Sequence, residues 1–124
     1  MRIAGLGVDI ADVAKMRKIL AGKARGRFVE NTFTRNEVEC AKGGNNIAKL
    51  ATNFAAKEAV YKAFGTGWIE GRDVEVLRDR ETGAPGIKLH GEIGKIAKKR
   101  GIKKVMVSLS CTESAAVAVA LLIS

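Results

Sequence analysis

Hydrophobic and polar positions alternate over the first stretch of the chain. Between Arg2 and Ile10, Ala4, Leu6, Val8 and Ile10 fall on one side, while Ile3, Gly5, Gly7 and Asp9 fall on the other. The pattern predicts a strand with one face almost bare of side chains, ending in a carboxylate. Glycine inside a strand lets a ligand or another backbone come close. The period then changes. Val13, Met16 and Leu20 recur at helical spacing over about residues 11–21, and Gly22 is placed to end that helix. Thr34-Arg35-Asn36-Glu37 reads as a capping box that starts a short helix running to about Lys42. Gly43, Gly44, Asn45 and Asn46 break the chain, and a long helix follows from about Ile47 to Phe64, with Gly65 placed to stop it.

The second half has a different rhythm. Val74, Val76 and Arg78 alternate with Glu75 and Leu77. Ile87 and Leu89 come after a turn containing Gly83, Ala84 and Pro85, so a hairpin is predicted. Ile93, Ile96, Ala97 and Arg100 predict a helix closed by Gly101. Val105, Val107, Leu109 and Cys111 alternate with Met106, Ser108 and Ser110, and Ala115 to Ile123 is continuously apolar. These two strands predict a second hairpin, turning at Thr112, Glu113 and Ser114. The order of elements points to an α+β fold with an antiparallel sheet and a long central helix, not a doubly wound parallel sheet. Neither a G-x-G-x-x-G fingerprint nor a Walker A loop is present, so nucleotide binding by those devices is not expected.

The long helix carries the most informative residues. Ile47, Leu50, Ala51, Phe54, Tyr61 and Phe64 form an apolar stripe at spacings of three, four or seven. Glu58 sits inside that stripe, where a carboxylate is costly unless something compensates it. Lys62, four residues on, is one candidate partner. Asp9 poses a similar question at the end of the glycine-faced strand, where it could instead cap the helix that follows. Two carboxylates on rigid elements make a hard oxygen site suited to Mg²⁺ together with phosphate oxygens. The pair is too sparse to hold the ion alone, so a phosphorylated substrate would complete it. Lys57, Lys62 and the Gly65-Thr66-Gly67 turn would add positive charge and backbone donors.

Composition narrows the setting. The 124 residues fit one domain, residues 1–124, and 22 Lys and Arg against 13 Asp and Glu give a net charge of +9. An excess of this sign favours anionic partners: nucleic acid, acidic protein, phosphorylated small molecules or anionic lipid. Between Lys15 and Arg27 lie Lys15, Arg17, Lys18, Lys23, Arg25 and Arg27 with no acidic residue among them. That block is either a docking face or a solvated surface. Cys40 and Cys111 make neither a disulfide framework nor a zinc site, and Cys111 has no His at motif spacing. His90, the single His, reads as a partly exposed hairpin residue. No secretory leader pattern is visible at the N-terminus, and the uncharged run near the C-terminus is too short to span a bilayer. A soluble, cytoplasmic protein is expected, with no membrane contact.

The segments GVDI at Gly7–Ile10, FTRNE at Phe33–Glu37, FAAKEAVYKAFGTG at Phe54–Gly67 and SLSCTESAAVAVA at Ser108–Ala120 occur in an informative order and spacing. Over essentially the whole chain this resembles the bacterial holo-acyl-carrier-protein synthases, the small 4′-phosphopantetheinyl transferases. The resemblance implies that coenzyme A donates its 4′-phosphopantetheine group to a Ser of apo acyl carrier protein, releasing adenosine 3′,5′-bisphosphate, a step serving fatty acid biosynthesis. It implies Asp9 and Glu58 as Mg²⁺ ligands. It also implies Lys62 at the phosphates or leaving group, and Glu58, directly or through water, as acceptor of the Ser proton. Lys57, Gly65, Thr66, Gly67 and Pro85 are implied as coenzyme A contacts. The acidic carrier protein would dock on Lys15, Arg17, Lys18 and Arg25.

Two positions depart from the family pattern. Asn53 stands where many members have Arg, and Cys111 where many have His, which puts the anchoring of the 3′-phosphate in question. The resemblance further implies a homotrimer with active sites at subunit boundaries. The competing reading is a small basic nucleic-acid-binding protein without catalysis, with an inactive scaffold of the same fold as a third possibility. Phe, Trp and Tyr total six residues, most of them on the predicted core stripe, so no base-stacking platform is visible and nucleic acid is not expected as a partner.

Overall fold

The computed structural model describes residues 1–124. In chain order the elements are β1 (Ile3–Asp12), α1 (Val13–Ala21), α2 (Arg25–Thr32), α3 (Arg35–Cys40) and α4 (Asn46–Phe64). A 3₁₀ turn at Gly71–Asp73 follows, then β2 (Val74–Arg78), β3 (Pro85–Leu89), α5 (Gly91–Lys99), β4 (Lys104–Cys111) and β5 (Ala115–Ile123). The fold is α+β with antiparallel pairing throughout. The strands form two sheets: three strands in the order β1-β5-β4, and the separate hairpin β2-β3. β5 is the central strand of the larger sheet, which explains its unbroken apolar run. Ala116, Ala118 and Ala120 face the core, and Ala115, the valines and Leu121 are half-buried on the other side.

Helix α4 packs across the inner face of that sheet, and the contact is made by very small residues. Ala51, Ala55, Ala56 and Ala59 of α4 are buried against Ala116, Ala118 and Ala120 of β5. β1 approaches more closely still. A methyl group on Gly7 would fall on the Ala59 carbonyl oxygen and within 2.7 Å of the Ala63 nitrogen. Backbone therefore meets backbone here, which only glycine permits. The helix is buried on more sides than the predicted stripe allowed. Thr52, Asn53, Lys57 and Val60 are buried as well as Leu50, Tyr61 and Phe64, because α1, α3 and β2 also cover it. Gly65 ends α4 in the left-handed conformation, at φ 74°, with its N–H donating to the Tyr61 and Lys62 carbonyls.

Helix α2 is an element that the sequence pattern did not reveal. Its N-cap, Ala24, makes no side-chain cap bond and its first turn holds no acidic residue. It still places Phe28 inward, 5.9 Å from the Phe33 ring and 6.2 Å from the Phe54 ring. Phe54, Trp68 and Tyr61 continue the stack, with centroids 5.4 and 5.5 Å apart.

The outer face of the large sheet has no helix over it. Leu6, Val8 and Ile10 of β1 are 66%, 56% and 69% exposed. Register places them beside Leu121, Val119 and Val117 of β5, with Met106 of β4 opposite Leu121. Together they form a contiguous apolar surface of the kind soluble monomers rarely leave open.

Candidate active site

β1 and α4 bring the two singled-out carboxylates into one cleft of about 370 Å³, walled also by α1 and α2. Asp9 lies on the inner, glycine-bearing face of β1, so it points toward α4 and not toward solvent. Its side chain is 15% exposed. It is not the helix cap. That role falls to Asp12, whose Oδ1 accepts from the Ala14 and Lys15 N–H groups at 2.8 and 3.4 Å. On α4, Glu58 and Lys62 are one turn apart and both line the cleft. Lys62 reaches across to β1 and donates to Asp9 Oδ1 at 2.9 Å, rather than pairing along its own helix with Glu58.

Glu58 is thus half-buried without a hydrogen-bonding cation. Burial first, and then the Asp9 charge, raise its pKa above the usual carboxylate value, with Lys62 opposing. The Asp9 hydrogen bond raises the Lys62 pKa, so its ammonium is held charged. Lys15 lines the same cleft, with Phe28 and Phe54 forming an aromatic wall. Phe28 went unread in the sequence because α2 did.

Lys57, expected among the coenzyme A contacts, belongs elsewhere. Its ammonium is fully buried and donates to both oxygens of Glu37 at 2.7 and 2.9 Å, and to the Gly71 and Val74 carbonyls at 2.8 and 2.6 Å. With its donors consumed it cannot turn to a phosphate. Burial lowers its pKa, against the Glu37 charge. Glu37 also accepts from the Thr34 and Val76 N–H groups, both at 2.8 Å, so one carboxylate closes the capping box and ties α3, α4 and β2 together.

The other sequence-derived residues are spread more widely. Gly65, Thr66 and Gly67 form the turn just beyond Lys62, with the two glycines exposed and Thr66 half-buried. Pro85 opens β3 and shares no wall with Asp9 or Glu58. The basic block divides around α1: Lys15 faces the carboxylates, Lys18 is exposed, and Arg17 and Arg25 line a different cleft. Asn53 and Cys111 border two neighbouring cavities, and Lys49 and Arg78 line both of them. Arg78 donates to the Gly83 carbonyl at 3.2 Å, and neither cation has a carboxylate partner. His90 is partly exposed, as expected, and lies 3.0 Å from Glu75.

This architecture has counterparts. The sequence profile of the 4′-phosphopantetheinyl transferase superfamily matches residues 5–120, so the chain belongs to that family. Among curated relatives, the holo-[acyl-carrier-protein] synthase of Natranaerobius thermophilus is 40% identical over 123 residues, covering 97% of each chain. The crystal structure of the Neisseria meningitidis holo-[acyl-carrier-protein] synthase superposes with a TM-score of 0.90 at 27% identity, covering 99% of this chain and 100% of that one. The Bacillus anthracis synthase, solved in complex with CoA (3′,5′-ADP), gives 0.77 at 32% identity, covering 97% and 96%.

Proposed function

We propose that this chain transfers the 4′-phosphopantetheine group of coenzyme A to a Ser of an apo acyl carrier protein, releasing adenosine 3′,5′-bisphosphate. The observation that carries the reading is the convergence of Asp9, Glu58 and Lys62 in one cleft of a chain similar to holo-[acyl-carrier-protein] synthases along its whole length. The Ser Oγ attacks the β-phosphorus of the pyrophosphate, the one that bears pantetheine. The Oγ–P bond forms as the P–O bond to the bisphosphate breaks. Glu58 takes the Ser proton, directly or through water, aided by the environment that raises its proton affinity. Lys62 stands beside the carboxylates with a charge suited to the leaving phosphate. Positioning and charge stabilisation supply most of the rate in such transfers.

Asp9 and Glu58 also suit a hard cation. A third acidic residue, Asp12, also lines the cleft, but its carboxylate caps α1, and no three acidic, His or Cys side chains cluster into a cage, so water and donor phosphate oxygens would fill the remaining positions, as Mg²⁺ prefers. When bound, Mg²⁺ would polarise the phosphorus and neutralise charge on the departing group.

The acidic carrier protein would meet the basic residues of α1 and the start of α2, with Lys15, which lines the carboxylate cleft, nearest the chemistry. The apolar outer sheet face supports a homotrimer. In that assembly a neighbouring chain would bring Pro85 and the Lys49–Arg78 cavities to the nucleotide end of coenzyme A. Those two cations would hold the 3′-phosphate where Asn53 and Cys111 cannot. The nucleic-acid reading gains nothing from the aromatics, since Phe28, Phe33, Phe54, Tyr61 and Trp68 stack on one another.

The test is to incubate the protein with coenzyme A, Mg²⁺ and apo carrier protein and weigh the carrier. A gain of one phosphopantetheine unit supports the reading. No gain across several apo carriers overturns it.

A further inference from the structure

On the side of α1 facing away from Asp9 and Glu58, a second cleft of about 310 Å³ opens among α1, α2, α3 and the start of α4. It shares no lining residue with the carboxylate cleft. Leu20, Val29, Val38, Ile47 and Leu50 make an apolar interior. Three cations, Arg17, Arg25 and Lys42, also line it, with no acidic residue among them. Lys42 is paired with Glu39 at 3.1 Å, whereas Arg17 and Arg25 have no carboxylate partner.

Two helix starts add to the same sign. Arg25 and Asn46 are the first residues of α2 and α4, both line the cleft, and neither helix has a side chain capping its N-terminus. The Arg25 N–H is taken up by the Gly22 carbonyl at 3.3 Å, but both helix dipoles still place their positive ends beside the two arginines. The volume lies at the lower end of the range for small-molecule sites, on the order of 300–1,000 Å³.

We propose that this cleft binds an alkyl carboxylate of medium chain length. The chain lies among Leu20, Val29, Val38, Ile47 and Leu50, and the carboxylate points to Arg17 and Arg25. Neither half of such a ligand is dispensable. A hydrophilic anion would leave the aliphatic interior unfilled, and a neutral alkane would leave the arginines unpaired. A guanidinium is also the side chain best matched to a carboxylate, through two parallel N–H donors. Because α1 separates this cleft from the one holding Lys15, occupancy bears on the helix that the carrier protein is proposed to meet.

The test uses decanoate, below its micellar concentration, titrated into the full protein by calorimetry and followed by methyl NMR. Decanol and decyltrimethylammonium serve as controls. The expected result is one decanoate per chain, binding about tenfold or more tighter than decanol, no binding of the cation, and shifts confined to methyls of Leu20, Val29, Val38, Ile47 and Leu50. Val38→Trp, which fills the cleft, should abolish binding. A second filling variant, Val29→Phe, covers the case in which the first does not fold. Equal binding of decanoate and decanol, persistence of binding in a folded filled variant, or shifts centred on Met16 and Ile19 would each overturn the proposal. Displacement of decanoate by apo carrier protein in direct proportion to carrier occupancy would also overturn it, assigning the cleft to carrier docking. The phosphopantetheine-transfer assay is separate, so failure there leaves this result readable.

Discussion

Replacing Lys57 by Met keeps the length of the side chain and removes its ammonium. Four bonds disappear: two to Glu37, one to the Gly71 carbonyl and one to the Val74 carbonyl. Glu37 keeps its contacts with the Thr34 and Val76 N–H groups, but its charge is left buried with no cation. Breaking a buried pair from one side costs about 3–5 kcal/mol. Against a total stability of about 5–15 kcal/mol this is a large fraction. For a chain of this size the midpoint of thermal unfolding should fall by about 10–20 °C. Trp68, the single tryptophan, sits in the aromatic stack beside Tyr61 and gives a fluorescence readout alongside circular dichroism in urea. Glu37→Gln with Lys57→Met should cost less than the two single changes summed, by about 1–3 kcal/mol. Below the unfolding transition, Lys57→Met should leave KM for coenzyme A unchanged. A cost under about 1 kcal/mol, additive single effects, or a raised KM in the folded variant would refute the assignment of Lys57 to the frame.

The remaining predictions concern the cleft and its surroundings. Asp9→Ala and Glu58→Ala should each abolish transfer while the far-ultraviolet circular dichroism stays that of the parent. Turnover at the parent rate in either would remove that residue from the mechanism. Because burial and Asp9 raise the Glu58 pKa, this group favours the folded state most below the ordinary Glu value, and its contribution declines as pH rises through the raised folded value. Glu58→Gln should therefore raise the unfolding midpoint at neutral pH and lose that advantage in acid; the check is a series of melts across pH without divalent ions. Lys49→Ala and Arg78→Ala should raise KM for coenzyme A but not for 3′-dephospho-coenzyme A, measured by carrier mass against donor concentration. Gly7→Ala should destabilise by at least about 1–3 kcal/mol, as overpacking does, read from urea midpoints.

Much of the site could be read before the fold because its residues sit on strongly periodic elements. Asp9 stands on an alternating strand that runs two residues beyond its predicted end at Ile10, to Asp12, and Glu58 interrupts an apolar stripe. What spacing could not decide was pairing. Lys62 was within reach of Glu58 along the helix, yet the strand passes close enough for Asp9 to take it. Lys57 misled for a related reason. A lysine beside a carboxylate on this helix reads as a free cation for phosphate, and its partner Glu37 lies twenty residues earlier in a motif that already explained it. Helix α2 was hidden because nothing caps it and its apolar positions are few. The separation of the β2-β3 hairpin from the larger sheet was equally hidden, since alternation marks a strand but not its neighbours.

The seam of glycine and alanine between β1 and α4 has a consequence for ion size. Where side chains separate two elements, rotamers can shift to widen or narrow the gap. Here the gap is set by main-chain atoms at Gly7 and Ala59, and the carboxylates of Asp9 and Glu58 hang from those two backbones within a turn of the contact. Mg²⁺ takes oxygens at about 2.0–2.1 Å and Ca²⁺ at about 2.3–2.6 Å. If the pair holds a metal as proposed, a span fixed by backbone thickness would work as a gauge between them. A seam widened by a single methyl group should tilt the preference of the proposed metal site toward the larger ion before it changes anything else about the chemistry.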